Sequence, residues 1–593
     1  MTDQDIPAED ETGMRHRPLI LAMLGAAAGL LAHAVIGESR TMDASAMRTA
    51  ALTFIIVAPV LFGLVVERAR LTASIVLALI CGVLAGLIAL WNGPTNSWSA
   101  SEGWRMVAII LAIAIAAPLF QSVRVVDRRR FQFPYRSVHD HAWTNAVMVA
   151  AAWAFTGISF LMLFLLSELF ALIGIRLLRD LLREDWFWRV MLGGAWGAGL
   201  GLIREQDKVV RLLQRVVMTI LGVLGPVLGA ALMLFLVSLP FTGLSGLWES
   251  WGSAAALLLS ATIGCFILAN AIIGNGPEDE PKNPLLRYGA TLLALVMFPL
   301  AVLAATAIGL RIDQYGLTPE RLWAIVFAAV ACTVGLAYWF SLGRGQAAWA
   351  RMARSANLRI ALAVCIVAAI LATPLVSFNT LATRNQVARI RDGRTRPDKV
   401  DWAALAFDFG EPGRAAVKRL GQQTRFAEKA KQALAADNRW DLFQRPVDVA
   451  KRRRSLTVLP AGTALPKGLV EATASYALCG DDDKPCIVRA LPDDEWLVLD
   501  GGCIESLQPV KSSDRDARDD GPVVSARYRT DCAAPKRIRA AGDQWLILST
   551  GLPETAEAIA AAKAGVAKGD VEVRDVTRRQ VFVGGIPVGD PFE

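Results

Sequence analysis

The sequence predicts a polytopic α-helical membrane bundle of about eleven transmembrane helices, followed by a small α+β extramembrane domain with an antiparallel sheet. Between residues 18 and 381, apolar stretches follow one another with short charged connectors between them. A helix of about 20 apolar residues, rising about 1.5 Å per residue, spans the hydrocarbon core of a bilayer. Each stretch is therefore a candidate transmembrane helix. Beyond residue 381 the sequence takes on the charged composition of a soluble domain.

The composition agrees with this division. The chain has 593 residues, of which 54% are hydrophobic, and a formal charge of +8. A basic charge can indicate nucleic-acid binding, but here the basic residues crowd the connectors between spans, where the positive-inside rule places them. We therefore expect no nucleic-acid partner.

Eleven spans are predicted. The acidic N-terminal tail, residues 1–17, lacks the basic start of a cleavable signal peptide, so we expect the first apolar stretch to be retained as a span. The predicted spans are residues 18–37, 49–66, 71–91, 105–123, 144–175, 190–203, 216–241, 253–273, 288–310, 322–342 and 360–381.

The distribution of Lys and Arg predicts the orientation. The connector after the fourth span carries five arginines and should be cytoplasmic, whereas residues 92–104 and 242–252 carry none and should be periplasmic. The basic loop at residues 344–359 should also be cytoplasmic. All of these assignments hold together only if the short, Gly-rich stretch 190–203 crosses the membrane. The N-terminus is then cytoplasmic and the C-terminal domain periplasmic. If 190–203 does not cross, the C-terminal domain is cytoplasmic.

Charged residues inside the spans are few. Glu168, near the end of the fifth span, is the candidate intramembrane carboxylate: either an ion or proton site, or a structural carboxylate at the interface. Glycines recur four residues apart, as at Gly25 with Gly29 and Gly193 with Gly197. This spacing lets helix backbones approach closely and is typical of helix packing.

One connector carries a distinctive motif. In residues 311–323, Thr318 and Pro319 are the N-cap and first residue of a predicted helix, so the motif can be a capped turn between spans. The alternative is a periplasmic-face site in which two arginines hold an anionic group such as a lipid headgroup or a glycan phosphate. The candidate residues are Arg311, Gln314, Tyr315, Gly316, Thr318 and Arg321.

The same connector resembles the Gln-Tyr-Gly-x-Thr-x-x-Arg element of a bacterial membrane-protein family described as domain of unknown function 4153. Residues 166–203, 379–390 and 400–420 are also similar, and the resemblance covers about residues 140–420. The sequence departs from the family pattern at Phe407-Asp408-Phe409-Gly410, where a Leu-Gly pair is expected. The resemblance implies a multi-span inner-membrane protein and implies no reaction.

The C-terminal region divides into a helical, basic juxtamembrane segment (382–454) and an α+β periplasmic domain (455–593). Helices are predicted at 401–409, 413–436 and 555–567. Short runs rich in β-branched and aromatic residues predict the strands. These are residues 456–459, 486–491, 496–499, 523–528, 545–548 and 581–583.

Four of the eight cysteines fall in this domain: Cys479, Cys486, Cys503 and Cys532. An even set in a periplasmic domain indicates disulfides, and Cys479–Cys486 with Cys503–Cys532 is the simplest of three pairings. Free thiols and a zinc site remain alternatives, although the spacing is not that of paired Cys-x-x-Cys knuckles.

No nucleotide-binding loop, nucleophile elbow or zinc-protease motif is present, and four histidines offer little material for a metal or acid–base site. We expect no cofactor and no metal, and an enzyme is the weaker hypothesis. The sequence favours a structural or interaction protein of the bacterial inner membrane that presents a periplasmic domain to anionic lipid or other envelope components. The alternatives are a transporter or channel for a small or anionic solute, and a membrane enzyme acting on envelope lipid or glycan.

Overall fold

The structure is a computed structural model. It describes residues 16–37, 45–67, 70–127, 130–243, 254–396, 399–436, 438–442, 449–475, 478, 486–491, 494–500, 536–541, 544–548, 579–583 and 586–592. The chain forms two compact units, Met1–Leu442 and Phe443–Glu593. Their boundary lies within the predicted juxtamembrane segment.

The first unit is helical. Its long helices are α1 (Arg17–Ile36), α2 (Ala46–Val65), α3 (Leu71–Asn92), α4 (Ala100–Ser122), α5 (Tyr135–Leu172), α7 (Asp185–Glu205), α8 (Asp207–Thr242), α9 (Ala254–Ile273), α10 (Pro284–Tyr315), α11 (Pro319–Gly345) and α12 (Trp349–Ala372). The shorter elements are α6 (Leu177–Arg183), α13 (Phe378–Arg391), a π-helical turn (Ala404–Asp408), α14 (Gly410–Leu420), α15 (Ala427–Ala435), and an antiparallel hairpin of β1 (Arg124–Asp127) and β2 (Arg130–Gln132).

Among the described residues, ten helices are long and apolar enough to cross a membrane. They correspond to all of the predicted spans except 190–203, and they confirm the polytopic helical bundle. Several extend beyond a bilayer: α5 has 38 residues, about 57 Å at the usual helical rise. The predicted segment 190–203 lies within α7, whose glycines and terminal charges make it less apolar than the other ten.

Helix α7 nonetheless packs against α1 along most of its length. Gly193 lies against the backbone of Gly25, and a Cβ at either position would overlap the carbonyl oxygen of the other. A Cβ on Gly201 would lie 2.5 Å from Cα of Pro18. Arg189, nearer the start of α7, donates from Nη1 to Nδ1 of His33 at 2.7 Å. The two helices therefore run antiparallel and side by side from the start of α1 to near its end.

Contacts among connectors define two faces of the bundle. On the first, Gln121 at the end of α4 donates to the Leu64 carbonyl at the end of α2, and Arg354 in the first half of α12 donates to the Ile273 carbonyl at the end of α9. Gln214 of α8 donates to Asp140 of α5 on the same face. We call it the basic face because its helix ends carry arginines, among them Arg70, Arg136, Arg204, Arg287, Arg344 and Arg351.

The second face, which we call the cleft face, gathers the remaining described connectors. Asn92 at the end of α3 donates to the Glu102 carbonyl of α4 at 3.1 Å. Asn385 of α13 accepts a hydrogen bond from the Leu317 amide between α10 and α11. These contacts bring the α3–α4 and α10–α11 connectors together with the chain that follows α12.

Helices α4 and α12 run in opposite directions. Near their middle, the Cys365 thiol lies 3.4 Å from the Ala112 carbonyl oxygen. At the cleft face, Asn379, just beyond α12, donates to Glu102 near the start of α4 at 2.9 Å. As the residue number rises along one helix it falls along the other, so the pair is antiparallel.

The main core of the bundle lies among α9, α10, α11 and α12 and is filled by side chains. Leu293, Met297 and Leu300 of α10 are completely buried. Tyr338 of α11 is also completely buried, and its hydroxyl accepts from Asn270 of α9 at 2.9 Å and from Asn357 of α12 at 3.1 Å. Polar side chains that hydrogen-bond across helices in this way stabilise membrane bundles.

The second unit contains helices α16 (Val449–Ser455) and α17 (Leu469–Ser475) and strands β3 (Leu456–Leu459), β4 (Cys486–Ala490), β5 (Glu495–Asp500), β6 (Lys536–Ala541), β7 (Gln544–Leu548), β8 (Arg579–Val583) and β9 (Ile586–Phe592). Strands β3 to β7 form a five-stranded sheet in that order, and β8 pairs with β9. The sheet is mixed rather than wholly antiparallel, because β3 and β4 run parallel. The predicted strand 523–528 and helix 555–567 lie outside the described residues.

The structure describes two further residues of interest in this unit, a cysteine and an arginine. Cys486 is completely buried in the core of the sheet and is disulfide-bonded. Cys479, Cys503 and Cys532 lie outside the described residues, so the predicted pairing stays a prediction. Arg452, in the basic run 451–454, is also buried, at 1% exposure. Arg453 and Arg454, by contrast, are exposed.

Candidate functional site

The Gln-Tyr-Gly motif forms the turn between α10 and α11 on the cleft face. Helix α10 ends at Tyr315, and Gly316 follows in the left-handed region with a φ of 77°. Thr318 accepts a hydrogen bond from the Arg321 amide and Pro319 begins α11. The predicted helix cap is therefore confirmed.

Helix α13 holds this turn through three side chains. Asn385 accepts from the Leu317 amide, and Gln386 donates to the carbonyls of Tyr315 and Leu317, each at 2.9 Å. Arg389 donates to the carbonyls of Asp313 and Gln314 at 3.1 and 3.0 Å. These bonds satisfy carbonyls that the end of a helix leaves unpaired. The backbone of the motif is thus bound to the segment that follows the last span.

The two arginines of the motif flank the Tyr315 ring rather than forming a ready anion site. The guanidinium carbons of Arg311 and Arg321 lie 5.9 and 5.5 Å from the ring centroid. Arg321 also donates to the Gly316 carbonyl at 2.6 Å. Because Arg321 already binds the turn, the exposed Arg311 is the arginine better placed to meet a ligand.

Beside the turn lies a buried polar network centred on Glu102. The Glu102 carboxylate accepts from the Ser99 amide and from Asn379, both at 2.9 Å, and lies 3.7 Å from Arg105. Glu102, Arg105 and Asn379 are each no more than 9% exposed. A buried carboxylate is stable only when it is paired and hydrogen-bonded, as it is here. The network joins α4 to the start of α13.

This network adjoins a cleft of about 930 Å³. Ser99 and Gly410 both line the cleft, and a Cβ on Gly410 would lie 3.0 Å from Nδ2 of Asn379. The cleft walls are the α3–α4 connector, the start of α11, the π-helical turn and α14. Its charged lining residues are Glu320, Arg321, Asp401, Asp408, Glu411, Arg414 and Arg439.

Within the cleft, Asp408 forms an ion pair with Arg439. Burial raises the pKa of the Asp408 carboxyl, and the hydrogen bond from Arg439 offsets this only in part. Arg414 lies over the Phe407 ring, 5.8 Å from its centroid. The Phe407-Asp408-Phe409-Gly410 segment, where the sequence departs from the family pattern, therefore contributes directly to the cleft wall.

Sequence reasoning missed the Glu102 network. Asn379 lies 277 residues from Glu102 in the chain, too far apart for a local pattern to connect them. A local signal was present, since Ser99-x-x-Glu102 is a capping box and the structure forms both of its hydrogen bonds. That signal predicts the helix start but does not predict the partners Arg105 and Asn379.

Glu168 lies elsewhere, at the far end of α5. Its side chain is 46% exposed and lies 3.8 Å from Arg179 of α6, not beside Arg176. It faces the surroundings of the bundle rather than its interior, which favours the structural interpretation. Among the described residues, no three His, Cys, Asp or Glu side chains group closely enough to hold a metal ion.

Comparison with known proteins gives one match. No curated protein and no solved structure matches the chain. Residues 49–409 match the model of a protein family, and this range covers more than half of the chain. It includes ten of the eleven long helices, the Gln-Tyr-Gly turn, the Glu102 network and most of the cleft. The chain therefore belongs to the family described as Domain of unknown function (DUF4153).

Proposed function

We propose that this protein is an inner-membrane scaffold that crosses the membrane eleven times and displays its C-terminal unit in the periplasm, where the cleft face meets envelope components. The antiparallel packing of α4 against α12 carries the proposal. Helix α4 is the fourth long helix among the residues that the structure describes. If every long helix crosses, α12 is the eleventh crossing and must run opposite to α4, as it does.

The alternative count predicts the opposite direction for α12. If α7 did not cross, α12 would be the tenth crossing and would run parallel to α4. The contacts of Cys365 with Ala112 and of Asn379 with Glu102 argue against that direction. The close antiparallel pairing of α7 with α1 supports the same conclusion independently.

The orientation follows from charge. Arginines concentrate at the connectors of the basic face, while residues 93–99 of the cleft face contain no Lys or Arg. The positive-inside rule assigns the basic face to the cytoplasm. The chain leaves the last span on the cleft face, so we place residues 382–593 in the periplasm, an oxidising compartment in which the Cys486 disulfide would persist.

An interaction role fits the bundle better than transport. Glu168, the candidate ion site, is half-exposed at the end of α5. Gly197 of α7 packs against the backbone of Leu21, so its small size serves helix packing. The cleft, by contrast, offers exposed polar groups at the membrane surface for a polar envelope component.

A pair of reporter fusions tests the orientation. Alkaline phosphatase joined at Arg359 should be inactive, because Arg359 comes before the uninterrupted apolar part of α12, whereas a fusion after Arg384 should be active. The two fusions differ only by the last span, so each controls for the expression of the other. An inactive fusion after Arg384 would place the C-terminal unit in the cytoplasm and contradict the proposal.

One observation favours a second candidate function, an enzyme acting on envelope lipid or glycan. Four carboxylates from two distant segments of the chain line the same cleft: Glu320 from the first, and Asp401, Asp408 and Glu411 from the second. Because its pKa is raised, Asp408 is the best candidate for a general acid among them. Purified protein should then release product from lipid-linked glycans, and Asp408→Asn should remove that activity while leaving the thermal midpoint nearly unchanged. Equal product release by the unsubstituted protein and Asp408→Asn would contradict this role for Asp408 and with it the second candidate function.

A further inference from the structure

An apolar groove runs along the membrane-facing surface of the bundle between α4, α11 and α12. Its volume is about 650 Å³, within the range of small-molecule sites. Trp104 and Trp323 lie at the end nearer the cleft face, and Arg359 lies at the end nearer the basic face. The groove is separate from the cleft and from both buried polar networks.

The groove follows α12 lengthwise. Its lining extends from Arg359 to Leu371, about 18 Å along the helix axis. Val367 of α12, Leu111 of α4 and Ile325 of α11 line it and remain 39–42% exposed. These side chains lie on helices long and apolar enough to cross the membrane, so hydrocarbon is the medium that the groove meets.

Arg359 gives the groove a charged end. Its side chain is exposed, and it has no ion-pair or hydrogen-bonding partner among the residues that the structure describes. Arg354, one turn earlier on α12, differs: it is buried and binds Glu280 at 2.7 Å. The free guanidinium therefore stands where the apolar lining ends, at the end of the groove nearer the basic face.

We propose that this groove binds an acidic phospholipid from the leaflet at the basic face, with one acyl chain along α12 and the phosphate group at Arg359. An apolar slot that ends in a single positive charge complements a molecule with a long apolar chain and a negative head. Basic residues beside grooves between transmembrane helices are recognised sites for acidic headgroups. A second copy of the chain would not explain the unpaired charge at one end. The proposal does not depend on the function of the cleft.

Native mass spectrometry of the full chain in detergent, titrated with phosphatidylglycerol, tests the proposal. Arg359→Gln should weaken binding of the first lipid about fivefold, the loss expected for one basic contact at a membrane surface. Ala363→Phe should also weaken binding, since it fills the groove at an exposed position and leaves the charge in place. Arg351→Gln is the matched control: it removes an exposed arginine from the same helix outside the groove lining.

Each other result would overturn the proposal. Equal losses from Arg351→Gln and Arg359→Gln would mean diffuse attraction to the basic face rather than a site. Equal affinity for phosphatidylcholine would exclude selection of an acidic headgroup. Unchanged binding in both Arg359→Gln and Ala363→Phe would place the lipid elsewhere, and a dimer that dissociates in Ala363→Phe would identify a second copy as the occupant.

Discussion

Two groups of helices in this bundle pack in different ways, one through glycine backbone and the other through large side chains. Helices α1 and α7 meet through glycines, so that backbone lies against backbone at Gly25 and Gly193. Helix α10 instead fills the space beside α9 and α11 with completely buried side chains such as Leu293 and Met297. Both arrangements bring long helices together, but packing through glycines does not require both helices to be strongly apolar: α1 is among the ten apolar helices and α7 is not.

The comparison explains why hydropathy and packing disagree about α7. A glycine contributes little apolarity, yet it permits the close approach that stabilises helix pairs in a membrane, where burial of apolar surface provides no force between helices. A helix can therefore pack along the whole of a transmembrane neighbour and still be less apolar than the other spans. We infer that contact geometry identifies crossings of this kind better than composition does.

The largest expected effect comes from Gly193→Ala. The added Cβ would overlap the Gly25 carbonyl oxygen, and neither backbone can move without separating α1 from α7. We expect most of the folded protein to be lost, measured as the monodisperse peak in size-exclusion chromatography. Gly194→Ala is the control, because its Cβ would lie in ordinary contact, 3.5 Å from Cβ of Ala26. Equal yields of the two variants would show that the pair tolerates separation.

A second variant tests a contact that uses neither glycine nor apolar packing. Glu102→Ala leaves Arg105 buried without its carboxylate and removes the acceptor for Asn379. Breaking a buried ion pair from one side costs about 3–5 kcal/mol. We expect a much lower thermal midpoint, whereas Glu320→Gln, an exposed carboxylate on the same face, should change it little. A midpoint equal to that of the control would mean that the Glu102 network does not hold α4 to α13.

The smallest effect is expected within the core packed by side chains. Tyr338→Phe keeps the ring and removes the hydroxyl that accepts from Asn270 and Asn357. Hydrogen bonds between membrane helices contribute about 0.6 kcal/mol on average and up to about 1.7. The free energy of unfolding, measured by titration with a denaturing detergent, should fall by an amount in that range. A larger loss would show that this core depends on its polar network rather than on close packing.

Local signals in the sequence predicted much of the fold. The apolar runs predict the long helices, and Thr318-Pro319 predicts the start of α11. The distribution of arginines predicts a crossing at 190–203, where the structure has helix α7; the crossing itself stays a prediction. Strand β6 was missed because its sequence, residues 536–541, is basic; one reason it lies in the sheet is that Arg537 binds Glu495 of β5 at 2.6 Å.

The candidate site was less accessible to sequence reasoning because its contacts join distant segments. The Gln-Tyr-Gly motif was recognised, but its main partners are Asn385, Gln386 and Arg389 of α13, about 70 residues away. Patterns within a short window identify a helix end and its cap. They carry no information about which later helix binds that end or which carboxylates share a cleft.

The crossing of α7 is the central claim, and one measurement tests it directly. Two variants of the full-length protein, Arg183→Cys and Gln206→Cys, each add one cysteine at an exposed position on either side of α7, and the unsubstituted protein gives the labelling of the chain's own eight cysteines. Intact cells are then treated with a maleimide that cannot cross the inner membrane. We predict labelling at position 183 and labelling at position 206 only after the cells are permeabilised. Labelling of both positions in intact cells, or of neither, would place both ends of α7 on one side of the membrane and contradict the eleven-crossing bundle.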